Sequence, residues 1–329
     1  MTNKTPDLGV SIAVVIPCYR VKTHIMDVLD NIPDCVSYIY CIDDACPDGS
    51  GDYIEKKCHD KRVKVLRHTV NQGVGGAVIT GYKAAKADNA MIAVKIDGDG
   101  QMDPQLLPYF VKPIIDGEAD YTKGNRFYFP ANVRSMPRLR LFGNIALSFI
   151  TKISSGYWDL FDPTNGYTAL HLSVLDLLSI DRIAKRYFFE TDMLYRLNIC
   201  RCVVRDIPME AIYGDEQSSL KIKDVLLSFA GNNLKNFVKR VVYNYFLRDF
   251  NVASLEILFG PLLLLSGLLF GGYEWYISIL NDEPATAGTV MIAALQIILG
   301  VMFLLSALNY DIQSVPRNPV HKFKQKFRN

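Results

Sequence analysis

Val94 to Gln101 reads Val-Lys-Ile-Asp-Gly-Asp-Gly-Gln, an apolar run that ends on two carboxylates one residue apart. Such a pair can hold a divalent cation. In an extended chain successive side chains alternate faces, so Asp97 and Asp99 would point the same way, and a glycine on each side of Asp99 lets the backbone turn sharply. Hard cations such as Mg2+ or Mn2+ prefer carboxylate oxygens together with those of a diphosphate, often through only one or two protein carboxylates. A nucleoside diphosphate is the partner this implies. The same residues also suit a solvated Asp-Gly turn after a buried strand.

Apolar, β-branched runs at Ser11 to Pro17, Tyr38 to Asp43, Val63 to His68 and Ala90 to Ile96 alternate with helical spacing at Thr23 to Ile32, Asp52 to Lys61 and Gly73 to Ala87. This alternation predicts a mainly parallel sheet covered by helices on both faces. In such sheets ligands sit beyond the carboxyl ends of the strands, which directs attention to the loops there. The first is Pro17-Cys18-Tyr19-Arg20, and the second runs from Asp43 to Ser50. An acidic side chain at a strand end can accept hydrogen bonds from a nucleobase imide or a ribose hydroxyl, and an aromatic can pack on the base. Asp48-Gly49-Ser50 alone also reads as turn chemistry. The third loop, Asn71 to Ala77, opens a helix with Gly73, Gly75 and Gly76, whose amides could approach phosphate.

The chain has 329 residues, a net charge of +2 and seven cysteines. That length allows a sizeable core, the odd cysteine count fits a reducing compartment, and no nucleic-acid partner is expected. Cys200 and Cys202 are too close for zinc spacing. The last quarter differs. Between Val252 and Leu280 the only charges are Glu256 and Glu274, and between Ala285 and Asn309 there are none. Each stretch is long enough to cross a bilayer. Lys235, Lys239, Arg240 and Arg248 precede the pair, and Arg317, Lys322, Lys324, Lys326 and Arg328 follow it. The positive flanks place both ends, and the large upstream domain, on the cytoplasmic side of a plasma membrane. No apolar, basic-flanked segment opens the chain, so no signal peptide is expected. From Lys221 to Phe250, apolar and basic residues mix at helical spacing, as in helices lying at a membrane interface or in a helix pair capping a sheet.

With these loops in order, the chain resembles the family 2 glycosyltransferases of the GT-A fold, in the branch of dolichyl-phosphate mannose synthase and bacterial polyprenyl-phosphate glycosyltransferases. The resemblance rests on Val15 to Tyr19, Ile42 to Ser50, Asn71 to Gly75, Asp97 to Gln101 and Asp162-Pro163-Thr164-Asn165-Gly166-Tyr167. It implies a Rossmann-like GT-A catalytic domain over residues 1–219, juxtamembrane amphipathic helices over 220–250, a two-helix transmembrane hairpin over 251–310 and a basic tail over 311–329. It also implies that Asp97, Asp99 and Gln101 surround a Mg2+ or Mn2+ ion. Asp44, with Asp43, would touch the nucleobase of a UDP- or GDP-linked sugar in a pocket lined by Pro17 and Tyr19, with Gly73 close to the donor. The family often has Asn-Glu after its Pro-x-Tyr group, where this chain has Arg20-Val21.

For a lipid monophosphate acceptor the resemblance points to Arg126 in Lys123-Gly124-Asn125-Arg126, a segment expected to follow a strand, and to Arg138 and Arg140 ahead of Asn144. Arginine suits phosphate because its planar fork donates two bonds at once. Asp162, Glu190 and Asp192 are the further carboxylates implied near the sugar, with Asp99, in catalysis. Glu190 and Asp192 also fit an acidic first turn of a helix. The loop Tyr213 to Lys221 resembles the mobile Gly-x-Ser-Lys loop that closes on the donor. Relatives carry an arginine before its glycine, so Lys221 would take over the diphosphate contact; an ordinary polar loop has the same composition. The implied activity is inverting transfer of a sugar from a nucleotide sugar to polyprenyl phosphate at the cytoplasmic leaflet. A homo-oligomer is also expected. The rivals are transfer to another lipid or glycan, and a non-catalytic nucleotide-binding membrane scaffold.

Overall fold

A computed structural model describes residues 8–130, 138–210 and 222–326. The chain divides into two compact units, Met1–Phe237 with Pro316–Asn329, and Val238–Val315. The first unit is built on a seven-stranded sheet in the order β3-β2-β1-β4-β6-β5-β7. Its strands are β1 (Ile12–Cys18), β2 (Tyr38–Asp43), β3 (Val63–Arg67), β4 (Ile92–Lys95), β5 (Tyr121–Asn125), β6 (Thr168–His171) and β7 (Val204–Pro208). β3, β2, β1 and β4 run parallel, with Val14 opposite Ile39 on one side and Val94 on the other. β6 is antiparallel to both β4 and β5, so the sheet is mixed.

The wholly apolar composition of β1 follows from its central place, where both faces are covered. Val14 and Ile16 face one side with Ile39, Val94 and residues of α1 (Ile25–Asp30), α2 (Ser50–Lys57) and α4 (Leu107–Ile115). Val15 faces the other way, toward α3 (Val74–Ala87). A Cβ on Gly81 would lie 2.3 Å from Val15 Cγ1, so the missing side chain sets how closely α3 approaches the sheet. Among the described residues the other α-helices of this unit are α5 (Arg138–Ser155), α6 (Phe189–Ile199), most of α7 (Ile222–Val242) and α10 (Val320–Lys326). α10 follows the second apolar stretch in sequence and is fastened to this unit. The Val320 and His321 amides donate to the Asp120 carboxylate, and the His321 ring stacks on His171 with centroids 4.4 Å apart.

Two strand ends differ from the sequence expectation. β4 stops at Lys95, so Asp97 and Asp99 lie on a turn, and strand alternation does not govern where they point. The turn follows from Gly98 and from Gly100, which has φ +76°. β5 includes Lys123, Gly124 and Asn125, which the sequence reading placed after the strand.

The second unit is dominated by α8 (Val252–Asn281) and α9 (Ala287–Gln313). Both are long and apolar enough to cross a membrane, with mean hydropathy 2.0 and 2.5 over the most apolar window. They pack antiparallel at close range because small residues meet backbone: a Cβ on Gly300 would stand 2.6 Å from Leu264 N, and one on Gly267 3.0 Å from Ile297 N. An Asn251–Ser254 capping box starts α8. Arg240 is buried and holds Asp311 through two bonds of 2.6 and 2.9 Å, with the Tyr245 hydroxyl donating to the same carboxylate at 2.6 Å.

Candidate active site

The loops after β1, β2 and β4 leave the carboxyl ends of three neighbouring parallel strands. The Arg20 amide, in left-handed backbone at φ 59°, donates to Cys46 Sγ at 3.1 Å and so joins the first loop to the second. Pro17 is half-buried in β1, and Tyr19 stands 43% exposed with the Arg20 guanidinium 5.5 Å from its ring centre. Part of the Tyr19 side chain is therefore solvent-exposed, with the Arg20 cation over its ring.

Asp43 and Asp44 are buried, and their carboxylates hold the loops together. Asp43 accepts the Cys46 and Gly51 amides, each at 2.7 Å. Asp44 accepts the Gln72 amide at 2.8 Å and the Gly73 amide at 2.7 Å, and His68 Nδ1 lies 2.7 Å from it. The glycine-rich turn is likewise used internally. Gly73 has φ +86°, and a Cβ there would sit 2.5 Å from Lys185 O; the Gly76 amide donates to that same carbonyl at 3.2 Å. The expectation of open amides at Gly73 and Gly76 is thus corrected: the small residues let the 184–186 segment approach.

At the end of β4 the turn bearing Asp97 and Asp99 is half-buried, and Asp99 accepts the Gln101 amide at 3.0 Å. Sequence reasoning missed the residue beneath it. Lys95 is 1% exposed and lies between Asp97 Oδ1 at 2.9 Å and Glu190 Oε1 at 3.2 Å, the two carboxylates being 29% and 13% exposed. Burial alone would depress the Lys95 pKa, but the two neighbouring carboxylates more than offset this and raise it, so the ammonium stays charged. The available signal was a lysine inside an otherwise apolar strand.

Glu190 and Asp192, two apart on α6, have different surroundings. Glu190 reaches Lys95, whereas Asp192 accepts the Ala184 amide and Arg196 Nε, each at 2.9 Å, and Asn236 Nδ2 at 3.0 Å. Asp192 therefore clasps neighbouring segments. Asp162 is buried and forms a bidentate pair with Arg126, at 2.7 and 2.8 Å, while the Lys123 ammonium donates to its carbonyl. Burial would raise the Asp162 pKa, but Arg126 and Lys123 more than offset it and hold the carboxyl below its usual range. Asp206, behind Asn125, is pushed the other way by burial.

The segment from Asp162 to Gly166 bridges the two charged groups. Its first residue anchors Arg126, and a Cβ on its last would lie 2.4 Å from Lys95 Nζ and 2.5 Å from Asp97 Oδ2. Of the other expected residues, Asn144 is half-buried on α5, the side chains of Arg138 and Arg140 lie outside those described, and Lys221 lies outside the described residues. Among the described residues no three His, Cys, Asp or Glu side chains form a cage for a metal. The donors on the turn, two carboxylates and an amide side chain, fit a hard cation that completes its shell with ligand and water oxygens.

The site sits where a mixed α/β sheet presents its loops, and the comparisons agree on its class. Residues 13–178 match the glycosyl transferase family 2 profile, and the chain belongs to that family. It is 30% identical to the UDP-N-acetylglucosamine–dolichyl-phosphate N-acetylglucosaminyltransferase of Methanococcus voltae, over 66% of this chain and 92% of that one. It is 31% identical to the undecaprenyl-phosphate mannosyltransferase of Micrococcus luteus, over 56% of this chain and 76% of the relative. Among solved structures it resembles glucosyl-3-phosphoglycerate synthase from Mycobacterium tuberculosis, crystallised with Mn2+, UDP and glucosyl-3-phosphoglycerate. That likeness has a TM-score of 0.52 at 19% identity, covering 70% of this chain and 80% of the other, and shows the GT-A fold.

Proposed function

We propose that this glycosyltransferase moves a sugar, with inversion, from a nucleoside-diphosphate donor to a polyprenyl phosphate at the cytoplasmic face of a membrane. The observation that carries this reading is a carboxylate turn (Asp97, Asp99) and an anchored arginine (Arg126) joined by one five-residue bridge, in a chain with two helices fit to span a bilayer. The relatives that act on dolichyl and undecaprenyl phosphates support the acceptor class.

In this reading Asp97 and Asp99, with Gln101 beside them, hold Mg2+ or Mn2+, which when bound neutralises charge on the departing diphosphate. Tyr19 stacks on the base, and the loops tied by Asp43 and Asp44 keep that pocket in shape. Lys95 holds Asp97 and Glu190 in fixed geometry, with Glu190 toward the sugar. Arg126, oriented by Asp162, draws the acceptor phosphate to the anomeric carbon. That phosphate is already anionic near neutral pH, so no strong base is required. Because Asp162 is held ionised and doubly bonded, it acts as a positioning group rather than a proton carrier. The anchor is oriented with its basic flanks in the cytoplasm.

The test is transfer from a panel of radiolabelled nucleotide sugars to polyprenyl phosphate or diacylglycerol, with and without chelator. Asp99→Asn is expected to lower transfer by roughly 10²-fold or more, the scale of losing one transition-state contact in a dry site. Unchanged product formation and unchanged metal-dependent nucleotide binding in that variant would end the proposal.

A further inference from the structure

Asp206, on the edge strand β7, is a carboxylate that the proposed reaction leaves unused. β5 and β7 run parallel with Lys123 opposite Asp206, and Asn125 lies two residues further along the same face of β5. That placement brings the two side chains together: Asn125 Nδ2 donates to Asp206 Oδ2 at 2.8 Å. The same oxygen accepts the backbone amide of Phe161 at 2.9 Å. Asn125 immediately precedes Arg126, and Phe161 immediately precedes Asp162. One oxygen thus ties the chain just ahead of each member of the Arg126–Asp162 pair.

The tie is passed on to the turn that carries the arginine. Asn125 is 7% exposed, and its Oδ1 accepts the Phe127 amide at 2.9 Å, so its side chain is engaged at both ends. Phe127 in turn packs edge-on against Phe161, with ring centres 5.2 Å apart. Stability alone is a poor reason for this arrangement. Asp206 Oδ1 is buried with no hydrogen-bond partner among the described residues. Burial also pushes the Asp206 pKa up, against the Lys123 charge and the two donated bonds. Burying a polar atom without a partner costs stability, so a side chain kept only to hold an edge strand would not carry one.

We infer that Asp206 is a positioning residue for the acceptor phosphate, acting through Asn125 and the Phe161 amide to hold Arg126 and its Asp162 counter-charge in one fixed geometry. A planar guanidinium recognises phosphate by direction, so a tilt of the pair weakens capture of the acceptor and leaves the carboxylate turn at Asp97 and Asp99 as it was. The inference rests on the reading that Arg126 meets the acceptor phosphate.

Steady-state transfer by the full chain in detergent, with polyprenyl phosphate and the donor selected from the nucleotide-sugar panel, tests it. Asp206→Ala is expected to raise the acceptor KM roughly tenfold or more while the donor KM moves less than about twofold, the scale of a displaced positioning group. Mn2+-dependent UDP binding by thermal shift is expected to be retained, which reports a folded donor site. In Asp206→Asn the amide oxygen can accept both bonds and the NH2 replaces the unpartnered oxygen, so this variant is expected to recover most of the loss. Asn125→Ala is expected to raise the acceptor KM like Asp206→Ala, and the double variant no further, because both break one tie; Asn125→Ala also carries the test should Asp206→Ala fail to fold. Arg126→Lys, which keeps a charge against Asp162 but loses the fork, is the reference. If Arg126→Lys leaves the acceptor KM unchanged, the reading of Arg126 falls and takes the inference with it. If Arg126→Lys raises it but Asp206→Ala and Asn125→Ala do not, the inference falls alone. Equal rises in donor and acceptor KM, additive effects in the double variant, or an Asp206→Asn as impaired as Asp206→Ala would likewise overturn it.

Discussion

Replacing Lys95 by methionine removes the one cation between Asp97 and Glu190 while keeping nearly the same volume. At 2.9 and 3.2 Å, with an effective dielectric near 20, the two contacts represent roughly 5–6 kcal/mol of gross attraction each. Much of that offsets the desolvation of an ammonium only 1% exposed. What the variant loses is set by the two carboxylates left facing each other, and breaking a buried pair in this way costs about 3–5 kcal/mol. For a unit of this size that corresponds to a fall in apparent Tm of roughly 6–20 °C. The deficit should depend on pH. In the native chain the raised Lys95 pKa contributes stability that is complete below the ordinary value of 10.5 and is lost only as pH rises through the higher folded value. In the variant, protonating one carboxylate relieves the repulsion, so the gap between the two proteins should be wide at pH 8 and narrower at pH 5. Mn2+ should also raise the Tm of the variant more than that of the native chain, because a cation at Asp97 restores the missing charge. Thermal unfolding in detergent at three pH values, with and without Mn2+, measures all of this. A deficit under 2 °C, with parallel pH curves, would show that the Lys95 contacts do not stabilise the site.

Asp162→Asn should be destabilised by about 3–5 kcal/mol at neutral pH, because Arg126 and the buried Lys123 lose their counter-charge. Since the native Asp162 pKa is lowered, its contribution is present above the ordinary value of 3.8 and is lost as pH falls through the lower folded value. The Tm gap between variant and native chain should therefore close in acid; a gap that is constant from pH 7 to pH 3 contradicts the ion pair. Cys46 should be the fastest thiol to alkylate near neutral pH. Burial pushes its pKa up, but hydrogen bonds from Ser50 and the Arg20 amide more than offset this, whereas burial raises Cys35, Cys58 and Cys202. Peptide mapping after brief iodoacetamide treatment, with and without UDP, should show Cys46 modified first and protected by the nucleotide. Equal labelling of Cys35 would contradict that ordering.

The roles of the acidic residues show how far a linear pattern reaches. Asp43, Asp44 and Asp192 look the same in sequence whether they meet a ligand or the chain's own amides. Asp44 answers to residues 68–73, and Asp192 to Ala184 and Asn236, partners that only the folded chain defines. Lys95 and Glu190 are separated by 95 positions, so no local window could connect them. The glycines of the third loop were visible as a motif, but their use in admitting the 184–186 segment was not.

By itself the sequence determined the strands β1 to β4, the glycine-flanked carboxylate turn after them and the two long apolar stretches. Each of these follows from backbone periodicity or from length, which act over a few neighbouring residues. Only the tertiary structure decided which carboxylates are tied up, that β6 runs against its neighbours, and that Asp206 reaches the strand end next to Arg126. Those outcomes depend on which surfaces the crossovers bring together, and a helix or an aspartate carries no local mark of what will lie opposite it.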